Sequence, residues 1–474
     1  MAFYSVLGFL RPAIFIFLIP IYLAELTEAE YGMYGLMMDF AMLSTIFMSL
    51  KINTAMLTNY YDYVDDEVKV QKYLSSVYTF SLVFGVFMVL ISLFIGPSLF
   101  RLADPTEEML FYPYGITVVL FTLFTELNLN YIVYLKNKKN IIRYSVVLLT
   151  QIISVVILQV LLIVVFDRGL QGALEGVVIG NIMVTAVVLF FERKIITFSL
   201  DWSMIKSSLK FSIPLIPYLV IYWFLTRSGK TFLSRETDLD TVGIYNLLIT
   251  LAGLVIFGVE AIINAIRPFL FEAFKRADKN DNKQISLLTR LIINIPLFIV
   301  PCLILIGTNF SYFTSKNSYY KIDQYIAFAC FVMFVFVWSR LFYQQLVFTK
   351  KSTWVTGLSF IVFIALMISF NILIPKFQIW GVLQATLIAN VLMAILFFFA
   401  AQKVLKVNYN FGEIIGIPFI VFSFLFLLKY TFESNEWSLS SFGVTQFFLI
   451  TFTIIAFNWN VITDYKKIFG KSIS

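Results

Sequence analysis

Three cations, Arg11, Lys51 and Arg340, each interrupt an otherwise apolar run long enough to cross a membrane. A cation at mid-membrane costs roughly 2.5–3.5 kcal/mol on insertion scales, so such a side chain faces a cavity or a partner. Arginine can grip a phosphate-like anion with two parallel hydrogen bonds, and lysine offers a point charge. Together the three would make an anion site inside the membrane; alternatively, Arg11 and Arg340 snorkel to the headgroups. Two acids also fall within apolar runs, Glu126 and Glu260, and Asp39 and Glu175 lie nearer the ends of theirs. Asn128 and Asn130 stand beside Glu126, and Asn264 follows Glu260 by one helical turn. Either acid could hold a coupling proton or sodium ion, or neutralise one of the three cations across a bundle. Arg227 and Lys230 close the seventh apolar run, where they would receive an anion at an outer gate or anchor the helix end at the interface. Pro12 and Pro20 break the first run, and Pro214 and Pro217 the seventh; both pairs are candidate hinges.

Other chemistry is missing from the residue list. The chain has no histidine, the commonest metal ligand and proton shuttle. Its two cysteines, Cys302 and Cys330, fall inside apolar runs and form no CxxC. No metal, no cofactor and no catalytic residue are expected.

The elements that would position these residues are membrane helices. Apolar residues make up 60% of the 474, charged residues 13%, and mean hydropathy is +0.88. A soluble domain could not hide that much apolar surface. A hydrocarbon core about 30 Å thick needs roughly 20 apolar residues per helix. Spans are expected at 3–24, 36–57, 76–96, 112–135, 144–166, 172–191, 211–227, 243–266, 287–308, 325–348, 355–374, 380–402, 414–430 and 442–460. The breaks between them are too short for a soluble catalytic domain. The first span lacks a small-residue cleavage site before Glu25, so it reads as a retained helix and not a signal peptide. The net charge of +7 does not indicate nucleic acid, because it is sorted by side. With the N-terminus inside, 23 of the 35 cations fall in inner breaks and nine in outer ones. By the positive-inside rule both termini are then cytoplasmic, and the basic inner loops suit anionic headgroups.

The chain repeats itself once. Residues 29–36 read Ala-Glu-Tyr-Gly-Met-Tyr-Gly-Leu and residues 240–247 read Asp-Thr-Val-Gly-Ile-Tyr-Asn-Leu. Gly32 and Tyr34 align with Gly243 and Tyr245, each at the start of the second helix after a proline-paired span. Six spans separate the copies, so they share one orientation, as in a parallel repeat about an axis along the membrane normal. The expected organisation is an N-lobe over 1–191 and a cytoplasmic link at 192–210 that could lie along the inner surface as an interfacial helix. A C-lobe follows over 211–402, then a C-terminal helix pair in 403–474.

Two stretches carry a family resemblance. FLIPIYLAELTEAEYGMYGLMMDF (17–40) resembles the opening of Wzx-type O-antigen flippases, polysaccharide-biosynthesis members of the multidrug/oligosaccharidyl-lipid/polysaccharide exporter superfamily. LKFSIPLIPYLVIYWFLTRSGKTFLSRETDLDTVGIYNLL (209–248) resembles the start of their second half. The family's short polar segment before the first helix is not in the sequence, and a truncated start is one expectation. The resemblance implies an all-α membrane protein of about 14 transmembrane helices, with two six-helix lobes around a central cavity plus a terminal pair offering a groove for a lipid tail. It implies alternating access and a substrate, a polyprenyl-pyrophosphate-linked oligosaccharide, moved from the inner to the outer leaflet of a bacterial inner membrane. Arg11, Lys51 and Arg340 would then hold the pyrophosphate. Partners would be membrane lipids, a polysaccharide polymerase and a chain-length regulator, with no nucleic acid.

Two other functions compete. A membrane glycosyltransferase or polymerase could use the acidic first outer loop, Glu25, Glu28 and Glu30, but lacks room here for an acceptor-binding domain. A multidrug exporter would share the fold, yet its lipophilic cations suit an acidic cavity, whereas the cations inside these spans point to an anion.

Overall fold

In a computed structural model of the protein, residues 17–103, 110–276, 283–308, 310 and 317–433 are described. Arg11, Pro12 and the expected last span at 442–460 lie outside them. All regular structure among the described residues is helical. A bilayer offers backbone groups no water, so a helix that satisfies them internally is the spanning unit these apolar runs can form. Nine described helices are long and apolar enough to cross a membrane, or ten if one bent pair is a single span.

The described residues fall into two compact units, one ending at Asn246 and one beginning at Leu247. In the first, a helix over 17–25 (α1) contains Pro20. It leads into α2 (Glu28–Met48) and α3 (Ile52–Asn59), then α4 (Glu67–Ala103) and α5 (Ile116–Asn137). Next come α6 (Ile141–Val160), α7 (Gly169–Phe191), α8 (Trp202–Ser212), α9 (Ile216–Arg227) and the short α10 (Gly229–Leu233). The boundary between the units falls inside α11 (Leu239–Ala252). The second unit continues with α12 (Leu254–Arg276), α13 (Lys283–Thr308), α14 (Ile322–Phe348), α15 (Ser352–Val404) and α16 (Ile417–Glu433).

The apolar periodicity places helices well but not their breaks. The expected second span, 36–57, is not one helix. α2 starts eight residues earlier, at Glu28, and stops at Met48; α3 leaves at 55° to it. Leu50 (φ 48°) and Lys51 (φ 54°) occupy the left-handed region between them. Non-glycine residues there cost on the order of 1 kcal/mol each or more, so something must hold them. α2 begins on a capping box: Thr27 Oγ1 accepts from Glu30 N at 3.2 Å, and Glu30 Oε2 accepts from Thr27 N at 2.9 Å. Glu30 in the acidic first loop is thus a helix cap.

The link expected over 192–210 is helical from Trp202. Asp201 caps α8, accepting from Ser203 N at 3.0 Å, and a 3-10 turn at Ile213–Leu215 carries Pro214 into α9, with Pro217 in its first turn. α15 is 53 residues long, or about 80 Å at 1.5 Å per residue, far more than one crossing. It turns at Gln378 (φ 48°), and its two halves run side by side as the separate spans 355–374 and 380–402 expect.

Packing in the first unit relies on small residues. Gly172, Gly176 and Gly180 line one face of α7. A Cβ on Gly176 would lie 2.7 Å from Gln159 N and one on Gly180 2.8 Å from Val155 Cγ2, both on α6. Without a hydrophobic drive between helices in lipid, such close approach supplies the attraction. Gly32 also meets Gly243, and a Cβ on Gly32 would lie 2.7 Å from Gly243 N. The repeated motif thus places its two copies in contact. α4 instead turns apolar side chains outward, with Phe94 81% exposed, as lipid contact requires.

Candidate functional site

Lys51, Arg227, Lys230 and Arg340 each have an acid beside them. In the first unit the centre is Glu126 of α5, only 2% exposed. The α2–α3 break delivers three donors to it. Ser49 Oγ donates to Oε2 at 2.7 Å and Asn53 Nδ2 to the same oxygen at 2.6 Å. Lys51 Nζ reaches Oε1 at 3.2 Å and also donates to Thr45 Oγ1 at 3.0 Å. Had α2 continued as a helix, residues 49, 51 and 53 could not all face one point, because a helix turns about 100° per residue. The left-handed residues Leu50 and Lys51 are what let them converge, and the hydrogen bonds offset the strain. The lysine side chain keeps 16% of its surface accessible, so the pair is not sealed.

A second cluster, also in the first unit, surrounds Asp39 of α2. Lys230 of α10 reaches its carboxylate at 2.8 Å and Arg227 of α9 at 3.5 Å. Lys230 is 6% exposed and further donates to Gly35 O at 3.2 Å and Asn246 Oδ1 at 2.9 Å. Asn246 Nδ2 donates to Tyr31 O at 3.0 Å, and Trp223 Nε1 to Asp39 O at 2.8 Å. One carboxylate facing two cations leaves a net positive charge. Arg227 is the accessible member, with about a third of its side chain exposed.

The second unit holds Arg340 of α14 against Glu260 of α12. Nε and Nη2 both approach Oε1 at 2.6 Å. The guanidinium lies over the Tyr343 ring, 4.8 Å from its centroid. A guanidinium stacked on an aromatic and forked toward a carboxylate has the geometry that also fits phosphate.

The structure therefore brings together Lys51 with Glu126, Arg340 with Glu260, and Arg227 and Lys230 with Asp39. The asparagines noted beside Glu126 serve elsewhere: Asn128 Nδ2 donates to Asn181 O at 3.0 Å and Asn130 Nδ2 to Ser81 Oγ at 2.9 Å. Sequence reasoning missed Ser49 and Asn53. Their signal was present as a polar i, i+4 pair flanking Lys51 in an apolar run. Among the described residues no group of three or more His, Cys, Asp or Glu could hold a metal ion.

What these clusters can do chemically is exchange partners. A phosphate offered to Lys51 or Arg340 competes with a carboxylate already there, so binding would not leave the cation bare in either state.

The model of a family described as "Polysaccharide biosynthesis protein" matches residues 25–314. No curated protein matches. Among solved structures, the lipid II flippase MurJ in an inward closed conformation aligns at TM-score 0.66 and 15% identity, over 97% of both chains. A multidrug resistance MATE family transporter of the MOP superfamily, facing inward, aligns at 0.63 and 13% identity, over 84% of this chain and 97% of its own. A MOP superfamily transporter from Pyrococcus furiosus, whose binding pocket is described as having reverse polarity, aligns at 0.54 and 13% identity, over 85% and 95%. At these identities the structural matches establish the fold, a MATE- and MurJ-like helical membrane architecture.

Proposed function

From the premise that the chain belongs to the polysaccharide biosynthesis protein family, we propose that it is a flippase for a polyprenyl-pyrophosphate-linked oligosaccharide. It would carry the glycan from the cytoplasmic to the outer leaflet of a bacterial inner membrane by alternating access. The full architecture on this reading has fourteen helices in two six-helix lobes, 1–191 and 211–402, linked through 192–210 and followed by the terminal pair. Both termini are cytoplasmic. A polymerase and a chain-length regulator would act on the delivered product, and the similarity to a lipid II flippase supports a lipid-linked cargo.

The observation that carries this reading is the Arg340–Glu260 pair, an arginine kept inside an apolar helix, stacked on Tyr343 and only 14% exposed. A charge so costly to bury is kept for a ligand or a partner. Arg340, Lys51 and Arg11 take the pyrophosphate charge as it enters, Arg227 and Lys230 meet it at the outer gate, and Glu126 and Glu260 hold the cations between cycles or take up a coupling ion. Pro12, Pro20, Pro214 and Pro217 serve as hinges. The tail stays in lipid, because only the sugars and the charge need a polar route. The drug-exporter alternative gains nothing here, since both acids within the spans already face a cation.

The test is Arg340→Ala against Arg340→Lys in cells. Alanine should leave the protein inserted at normal levels while undisplayed lipid-linked repeat units accumulate on the cytoplasmic face. Lysine should retain part of the activity, because the charge survives without the fork. Wild-type surface polysaccharide from the alanine variant would refute a phosphate-binding role for this arginine.

A further inference from the structure

At one end of the α15 hairpin, a groove of about 400 Å³ runs between its two halves. That volume lies within the range of ligand clefts, roughly 300–1,000 Å³. Leu358, Leu396 and Phe399 line it with apolar surface, and Trp354 and Lys403 stand at its rim. Gly357 forms part of the wall, and a Cβ placed there would meet nothing within 4 Å, so the groove is open where most helical glycines of this chain are filled. Lys403 Nζ lies 5.6 Å above the Trp354 ring.

Charge says what covers it. Lys350, Lys351, Lys403 and Lys406 are all exposed and flank the two ends of the hairpin that meet there. From Asp323 to Glu413 the sequence contains no other acid, and Glu413 is occupied by an ion pair with Arg290. Four exposed cations, in a stretch that brings no other acid of its own, sit beside an apolar trough. Basic pockets at the ends of membrane helices are where anionic headgroups settle, and a tryptophan marks that interfacial depth.

We propose that this groove is a binding site for an anionic phospholipid of the surrounding bilayer, one acyl chain lying over Gly357 between Leu358 and Phe399 and the phosphate held by Lys403. It is separate from the ion pairs assigned to the transported substrate. Its occupant would steady the hairpin, since the two halves leave this part of their faces unpacked against each other.

Native mass spectrometry of the full chain in neutral detergent tests it, with phosphatidylglycerol, phosphatidylcholine or undecaprenyl phosphate added in turn. Phosphatidylglycerol should be retained in preference to both others. Lys403→Gln should weaken it about five-fold, the worth of one lysine at an anionic surface. Gly357→Leu should abolish retention by filling the trough; the open space lets the protein fold, and an unchanged thermal midpoint without lipid confirms that. Equal retention of phosphatidylcholine would mean ordinary annular lipid and overturn the proposal. Retention of undecaprenyl phosphate alone would reassign the groove to a cargo tail and overturn it too. Wild-type retention by both variants would place the lipid elsewhere.

Discussion

Removing the charge at Glu126 should destabilise the first unit mainly through Lys51, and the size of the effect can be worked from the geometry. At 3.2 Å the Coulomb attraction is about 5 kcal/mol at an effective dielectric of about 20. Much of it repays desolvation, and breaking one side of a buried pair costs about 3–5 kcal/mol because the surviving charge is left alone. Lys51 keeps some solvent access, so Glu126→Gln should fall at the low end, about 3 kcal/mol. Lys51→Met leaves the carboxylate its Ser49 and Asn53 donors and should cost less, about 2 kcal/mol. The double variant leaves no unpaired charge, so its cost should fall short of the sum of the singles by about 1–3 kcal/mol. Equilibrium unfolding of the purified protein in detergent measures all three. Additivity within about 0.5 kcal/mol would show that the two groups do not act as a pair, and would refute the reasoning.

Two further outcomes follow from packing and topology. Gly176→Leu should push α7 from α6 at Gln159 N and cost at least about 1–3 kcal/mol, read as a lower unfolding midpoint, whereas Gly357→Leu should not. A cysteine at Lys139, in the turn between α5 and α6, should react with an impermeant thiol reagent only after the membrane is permeabilised; labelling in intact cells would reverse the orientation argued from the loop cations.

The class of this protein is legible in the sequence because hydropathy is a local sum. Twenty apolar residues force a helix across lipid whatever their neighbours do, and the expected spans from 76–96 to 414–430 each fall on described helices. The charges within the spans are equally visible, since Lys51, Glu126, Glu260 and Arg340 stand out against their runs. The resemblance of 17–40 and 209–248 to polysaccharide flippases also rests on local motifs, and the family match over 25–314 agrees with it.

Partners were another matter. Lys51 and Glu126 are 75 residues apart, and Arg340 and Glu260 are 80 apart. Which acid meets which cation depends on how each helix is rotated about its own axis, and hydropathy in a symmetric lipid environment barely constrains that rotation. The break at Leu50–Lys51 was hidden for a related reason: neither residue favours a left-handed backbone, and it is the buried carboxylate of a different helix that makes the conformation worth its strain. Lys230 reads as an interfacial charge by position, yet it is enclosed by Asp39, Gly35 and Asn246, which only folding brings together. Composition and periodicity thus determined a polytopic helical membrane protein with charges in its spans, because those follow from solvation of one segment at a time. The ion pairs, the helix break and the glycine contacts were decided by tertiary structure, because each needs two segments distant in sequence to satisfy one another where water cannot.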